Sequence, residues 1–284
     1  MIIVDLNQIS ISNLMAQIGN HTNTKIEESL VRHMVLNTLR SIKTKFQEYG
    51  EMVIACDDKH CWRRDVFPYY KANRKKAREQ SELDWSMIFD TINKIKCELK
   101  EFFPYRVIQV EGAEADDVIG TLVLMEGKML SIGKDVLIAS GDKDFAQLQR
   151  FSNVTQYDPV KKKFVNCSNP DSFLKEHILK GDRGDGIPNV LSADSCFVRG
   201  DRQKPMTAKK IAQYINMPVS EMDDTIKRNF KRNEQLIDLL NTPEDIRQKI
   251  LDQYHQQDNK GRDKMFNYFI SYKLKNLIEL VGEF

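Results

Sequence analysis

Long apolar runs are missing from this chain: no stretch approaches the ~18 residues that a membrane span requires. The start, Met1-Ile2-Ile3-Val4-Asp5, also lacks a basic region ahead of an apolar signal core. Both absences predict a soluble, cytoplasmic protein with no membrane partner. Cysteine is sparse. Cys56, Cys61, Cys97, Cys167 and Cys196 are odd in number and without C-x-x-C spacing, which argues against a disulfide framework and fits a reducing compartment. His60 and Cys61 lie near Cys56, but no second ligand pair stands at zinc-finger spacing. Excess charge is missing too, because 43 basic residues against 41 acidic ones leave a formal +2. That total excludes both a strongly basic nucleic-acid coat and an acidic tail. Internal repeats and low-complexity tracts are absent. What is present is 284 residues, 41% apolar and 30% charged, about two domains' worth of globular chain.

The first half alternates short apolar runs with longer amphipathic stretches, the pattern of a parallel sheet with crossover helices. Strands are expected at Ile2–Leu6, Met52–Cys56, Tyr105–Val110, Asp135–Ala139 and Asn153–Tyr157. Helical spacing of apolar residues predicts helices over Glu27–Tyr49 and Leu83–Phe103, and a third starting near Glu114. From about Pro170 the strand signals stop. Helices are expected at Ser172–Leu179, Thr207–Asn216, Val219–Phe230, Glu234–Leu240, Pro243–Tyr254 and Asp263–Leu280, and a glycine-rich loop at Gly181–Pro205. The fold class expected is α/β with a C-terminal all-helical domain, divided into 1–180 and 181–284.

Acids fall at the ends of the expected strands. Ile2-Ile3-Val4 runs into Asp5, Val53-Ile54-Ala55-Cys56 into Asp57, and Val136 to Gly141 into Asp142 and Asp144. Glu114 and Asp116 open a helix after another strand, and Asp182 and Asp185 sit in the glycine-rich segment. Open α/β sheets gather ligands at the carboxyl edge of the strands, so these side chains should converge on one crevice. Like charges at 4 Å repel by roughly 4 kcal/mol at an effective dielectric of 20, so the cluster calls for cations. Oxygen-only ligation points to two Mg²⁺ ions, or Mn²⁺ in their place. An isolated strand-end aspartate is ordinarily a turn former or helix cap. Repetition over so many positions favours the metal reading, with Asp58 and Asp117 as bystanders.

A second signal follows Asp57. Arg63, Arg64, Lys71, Arg74, Lys75, Lys76 and Arg78 stand against a single acid, Asp65, with Trp62, Phe67, Tyr69 and Tyr70 interleaved. Cations neutralise phosphates and aromatic faces stack on unpaired bases, a combination suited to single-stranded nucleic acid. The alternative is a solvated helix face with its aromatics turned inward. Lys209 and Lys210 open a later helix, where backbone N–H groups and lysines suit a duplex phosphate.

With these pieces in place, the chain resembles the 5′ nuclease superfamily, the flap endonucleases and polymerase-type 5′ to 3′ exonucleases, and within it the ribonuclease H branch of T-even phages. The resemblance rests on V-D-L-N-Q at Asp5, W-R-R-D at Trp62, Y-Y-K-x-N-R-x-K-A-R-E at Tyr69, E-A-D-D at Glu114, D-x-D-F-x-Q-L at Asp142 and I-L-K-G-D-x-x-D at Ile178. It implies a PIN-like nuclease domain with an arch at about 59–82, and a helix-hairpin-helix-like element over Gly181–Gln213 in a duplex-binding part. It further implies that Asp5, Asp57, Glu114 and Asp116 hold one metal, and that Asp116, Asp142, Asp144 and Asp185 hold the second, with Asp182 acting through water. Arg63 and Lys71 would contact the scissile phosphate, making Arg63, Lys71 and Asp116 the catalytic set. Arg64, Tyr70, Arg74, Lys75, Lys76, Arg78, Lys209 and Lys210 would bind nucleic acid.

The implied activity is two-metal hydrolysis of RNA/DNA hybrids and of 5′-ended or flapped duplex DNA, giving 5′ phosphate and 3′ hydroxyl. Primer removal during replication in an infected host cell is the implied role, by a monomer working beside a single-strand binding protein or clamp. Gly186-Ile187-Pro188-Asn189-Val190 departs from the family's compact glycine turn, so its monovalent cation is not carried over. Two rival readings are set against this one. A non-catalytic DNA-junction binder of the same fold would leave gaps in the acid set. A metal-dependent small-molecule phosphatase would place D-x-D at the first strand, where Asp5-Leu6-Asn7 stands.

Overall fold

The computed structural model describes residues 1–19, 26–128, 134–257 and 261–284, without the side chains of residues 76, 77 and 128. Its centre is built from three short apolar runs whose residues are buried throughout. They form strands β1 (Ile2–Asp5), β2 (Met52–Ala55) and, further on, β4 (Val136–Ala139). Continuous apolar runs suit parallel strands covered on both faces. Between β1 and β2 lie helices α1 (Leu6–Ile18) and α2 (Glu28–Lys45). After β2 come α3 (Trp62–Val66), α4 (Ala72–Glu79), α5 (Trp85–Phe102), β3 (Arg106–Ile108) and α6 (Ala115–Lys128). Beyond β4, a 3-10 segment at Lys143–Arg150 leads to β5 (Val154–Asp158), β6 (Lys163–Val165) and α7 (Pro170–Lys180).

The sheet order is β3-β2-β1-β4-β5-β6, parallel except for β6, which runs antiparallel to β5. Ile3 pairs with Val53 on one side and with Ile138 on the other. Strand order reverses between β1 and β4, and a crevice opens there at the carboxyl ends of the strands.

Strand side chains alternate between the two faces. Ile2, Val4, Ile54 and Leu137 pack with α2 and α5, while Ile3, Val53 and Ile138 pack with α6. The remaining helices are α8 (Ala208–Ile215), α9 (Asp224–Ile237), α10 (Glu244–His255), α11 (Met265–Ser271) and α12 (Lys275–Ile278). Ile246, Ile250 and Tyr254 of α10 join the α6 face, and Met265, Tyr268, Phe269 and Phe284 join the α2 and α5 face. A third cluster ties Phe67 and Tyr70 to Ile178, Val190, Phe230 and Leu236.

The strand expectations hold to within one or two residues, and three helical expectations change. Leu6–Ile18 is a helix that was not expected; Asn7, Gln8, Ser10, Ser12 and Asn13 mask its buried Leu6, Ile9, Leu14 and Ile18. The expected helices Val219–Phe230 and Glu234–Leu240 become the single α9, whose buried Phe230, Asn233 and Ile237 continue one face, flanked by separate 3-10 turns at Val219–Glu221 and Leu239–Asn241. Asp263–Leu280 divides into α11 and α12 where Lys273 takes a φ of +55°. Gly181–Pro205 holds turns and one short bridge, Asp182 to Ile187.

Candidate metal centre

Asp5 leaves β1 and caps α1, accepting from the Gln8 amide at 3.0 Å and from Ser140 Oγ at 3.4 Å. Asp57 follows β2 and accepts from Asn7 Nδ2 at 2.6 Å and from the Ala115 amide at 2.8 Å, where the start of α6 favours negative charge. Asp142 caps the 3-10 segment through the Asp144 amide at 2.9 Å. Asp182 receives the Asp185 amide at 3.1 Å, folding the loop after α7. That loop needs glycine at Gly186, which has a φ of +72° and where a Cβ would lie 2.9 Å from the Tyr69 carbonyl oxygen.

Asp5, Asp57, Asp116, Asp142, Asp144, Asp182 and Asp185 line one crevice of 370 Å³. Glu114 lines an adjoining groove of 520 Å³, and Asn7, Asp57, Lys71, Arg74, Arg78 and Phe89 border both spaces. The eight expected carboxylates therefore surround one pair of connected spaces.

Their electrostatics differ sharply. Burial, reinforced by the charge of Asp57, pushes Asp5 up to about 7. Burial and Asp142 do the same to Asp144, also to about 7. Asp116 is raised well above the carboxylate range by burial and by Asp142, Glu114 and Asp5, against the opposing charge of Lys71. Glu114 goes the other way: burial opposes ionisation, but Lys71 and Arg63, with a hydrogen bond from Tyr70, bring it down to about 2. Asp182 is held well below its ordinary value, because hydrogen bonds from His177 and Lys143 outweigh its burial. Clustered oxygen donors, three of them raised by burial and by each other's charge, fit hard divalent cations.

The arch side chains are placed less uniformly. Lys71 has a φ of +54°, a conformation that non-glycine residues seldom adopt. Its amide donates to the Asp185 carbonyl at 2.7 Å, and its Nζ lies 2.6 Å from Glu114 and 3.7 Å from Asp185. Arg74 pairs with Asp185, and Arg78 lies over the Phe89 ring at 4.7 Å. Arg64 and Lys75 are exposed on the rim of the 520 Å³ groove. The Lys76 side chain lies outside the described residues. Lys209 and Lys210 sit at the start of α8, capped by Thr207, and line neither space.

Two expected roles do not match these positions. Arg63 is only 1% exposed, and its guanidinium donates to Asp117 at 2.9 Å, Glu114 at 3.3 Å and the Leu236 carbonyl at 2.9 Å. It stands behind Glu114 and lines neither space, with Nε held by the Leu236 carbonyl and Nη1 by Asp117 and Glu114. Tyr70 is also buried. Its hydroxyl lies 2.8 Å from Glu114 and 3.1 Å from Asp185, so its ring offers no face for a base.

Asp117, read as a bystander, is a hub: it accepts from Trp62 Nε1 at 3.2 Å, Arg63 at 2.9 Å, the Glu114 amide at 2.8 Å and Thr242 Oγ1 at 2.8 Å. The signal was its place three residues after Glu114 at the start of a helix, from which its carboxylate reaches back to the Glu114 amide. His177, on α7 and against both Asp144 and Asp182, was also missed. Its only trace in the sequence is its place five residues before Asp182.

Residues 1–177 match the family model described as the 5′-3′ exonuclease N-terminal resolvase-like domain, and residues 169–284 match that of the T4 RNase H C-terminal domain. Ribonuclease H of Enterobacteria phage T4 is 33% identical over 295 residues, covering 99% of this chain and 95% of that protein. Flap endonuclease Xni of Shewanella piezotolerans is 30% identical over 156 residues, covering 51% of this chain and 56% of that protein. Among solved structures, a phage T5 D15 flap endonuclease complex with DNA and metal ions aligns at TM-score 0.61 and 18% identity, over 91% of this chain and 99% of that chain. The phage T5 5′-exonuclease with bound zinc aligns over the same shares at TM-score 0.63 and 18% identity, a likeness of fold. With its N-terminal part matching throughout and its full length aligned to a phage ribonuclease H, the chain belongs to the 5′-3′ exonuclease family and is a 5′ nuclease of the flap endonuclease and ribonuclease H kind.

Proposed function

We propose that this nuclease hydrolyses RNA/DNA hybrids and 5′-ended or flapped duplexes with two Mg²⁺ ions, Mn²⁺ serving in their place, and removes RNA primers during replication. The observation that carries the reading is the crevice itself: eight carboxylates meet at the sheet's switch point, and Asp5, Asp116 and Asp144 are pushed up by burial and by neighbouring carboxylates. Asp5, Asp57, Glu114 and Asp116 would hold one ion, and Asp116, Asp142, Asp144 and Asp185 the other. Bound there, the ions would supply the positive charge that activates a water molecule and stabilises the leaving 3′ oxygen.

The chain's own residues do the rest. Lys71 is held by its backbone beside Asp185 and bears on Glu114, so its ammonium is positioned for charge building on the scissile phosphate. Arg63 and Asp117 act as positioning residues that fix Glu114 and the base of the arch. Lys71, Arg74 and Arg78 border both spaces, a path along which a 5′ single strand would meet successive cations. Lys209 and Lys210 would hold a phosphate of the downstream duplex, with 181–284 as the duplex-binding part. Water adds to phosphorus and the P–O3′ bond breaks, leaving 5′ phosphate and 3′ hydroxyl. The chain works as a monomer in the host cytoplasm, beside a single-strand binding protein or clamp.

The test is a 5′-labelled flap and an RNA/DNA hybrid incubated with Mg²⁺ or EDTA, with analysis of the end groups. Cleavage with Mg²⁺ alone and 5′-phosphorylated products are expected. Cleavage in EDTA, or 3′-phosphate ends, would overturn the proposal.

A further inference from the structure

His177 is only 7% exposed and lies between two carboxylates of the centre. Its Nε2 is 3.0 Å from Asp182 Oδ2. A carboxylate can only accept there, so Nε2 carries the proton and donates. Nδ1 points the other way, 3.6 Å from Asp144 Oδ1. That is too long for a hydrogen bond. Neither Nδ1 nor Asp144 Oδ1 has a hydrogen-bond partner among the described residues, although both atoms are buried. In the neutral imidazole, the form that binds metals, Nδ1 then carries a lone pair, so it and Asp144 Oδ1 face each other as two donors across a gap, with the Lys143 ammonium 4.0 Å from that oxygen.

The surroundings show which kind of cation fits. One ligand atom from each of Asp144, His177 and Asp182 lies within 4.8 Å of the others. Two donors each about 2.1 Å from one ion stand roughly 3 to 3.5 Å apart, close to the observed separation. Lys143 Nζ sits 2.6 Å from Asp182 Oδ2, so that carboxylate is already satisfied by an ammonium and an imidazole. It plays the part of the carboxylate behind a metal-bound histidine, fixing the ring's tautomer and orientation.

We propose that His177 Nδ1 is a nitrogen ligand at the second metal position, beside Asp144, with Asp182 and Lys143 as its support. The proposal rests on the two-metal reading and deepens it. The first position is all oxygen and suits Mg²⁺, whereas the second, with one imidazole, binds Mn²⁺, Co²⁺ or Zn²⁺ in preference to Mg²⁺.

The test is pulsed electron paramagnetic resonance of the Mn²⁺-loaded chain. Nitrogen-14 modulation from directly bound imidazole is expected, changing to the nitrogen-15 pattern when histidine is labelled. It should persist when His21→Gln, His33→Gln, His60→Gln and His255→Gln are combined, and vanish in His177→Gln. In His177→Gln, Mn²⁺ affinity should fall about tenfold or more, with a smaller change for Mg²⁺. Bound Mn²⁺ without nitrogen modulation, modulation that survives in His177→Gln, or its loss from the combined variant would overturn the ligand assignment while leaving the nuclease reading intact. Failure to bind any divalent ion, together with failure to cleave the flap in Mg²⁺, would overturn both.

Discussion

The two walls of the crevice are both acidic, yet they are organised in opposite ways. On the arch wall, Glu114, Asp117 and Asp185 are paired with Lys71, Arg63, Arg74 and the Tyr70 hydroxyl. On the sheet wall, none of Asp5, Asp57, Asp116 and Asp142 takes part in an ion pair among the described residues. Glu114 accordingly falls to about 2 while Asp5 rises to about 7, although both are buried. Glu114 and Asp185 on the arch wall already face protein cations, whereas the sheet wall's acids pair with none among the described residues, and in the proposed reading they receive their positive charge from metal alone. Identical residue types thus carry separate duties, set by whether a protein cation lies within reach.

The sharpest way to break this contrast is on the sheet wall. Asp142→Asn should slow flap cleavage about a thousandfold, since a catalytic metal supplies several kcal/mol of transition-state stabilisation, while leaving the thermal midpoint unchanged or higher. Single-turnover rates and calorimetry would show it, and full activity would remove Asp142 from the site. On the arch wall, Arg63→Ala should cost about 3–5 kcal/mol of stability in urea denaturation, the penalty for leaving Asp117 buried and unpaired. An Arg63→Ala chain of normal stability that nevertheless fails to cleave would return Arg63 to direct phosphate contact. Lys71→Ala should reduce the rate about a hundredfold and leave duplex binding nearly intact. Equal losses in both would make Lys71 a phosphate holder only.

A pH series sharpens the comparison at smaller amplitude. Asp5 and Asp144 titrate near 7 when folded, above the ordinary carboxylate value. Their folded-state protons therefore add stability that is complete below about 4 and is lost as pH rises through 7. Without divalent ions the thermal midpoint should fall between pH 5 and pH 8. Mg²⁺ should raise it more at pH 8 than at pH 5, because ions bind the ionised carboxylates. A midpoint that rises across that window in EDTA would mean the sheet wall is already compensated.

Much of this was legible in the sequence, for physical reasons that can be named. Continuous apolar runs ending in aspartate mark buried parallel strands, and their order along the chain sufficed to bring Asp5, Asp57, Asp142 and Asp144 together. The alternation of strands and helices carried the sheet. Partner choice was not legible. Composition shows that Arg63 and Tyr70 belong to a basic, aromatic segment, but their inward orientation depends on Asp117 and on the Leu236 carbonyl, which lies far along the chain. His177 was hidden for the same reason, since its role exists only once α7 packs against the 3-10 segment after β4. Helix α1 escaped because its polar residues outnumber the buried stripe that anchors it.

The central claim, that the sheet wall is built for divalent ions, is tested most directly by counting them. Mn²⁺ titration monitored by electron paramagnetic resonance should show two ions per chain, both displaced by excess Mg²⁺, and weakened binding of both in Asp116→Asn. A chain that binds no Mn²⁺, or an Asp116→Asn chain that binds it as the parent does, would contradict the account.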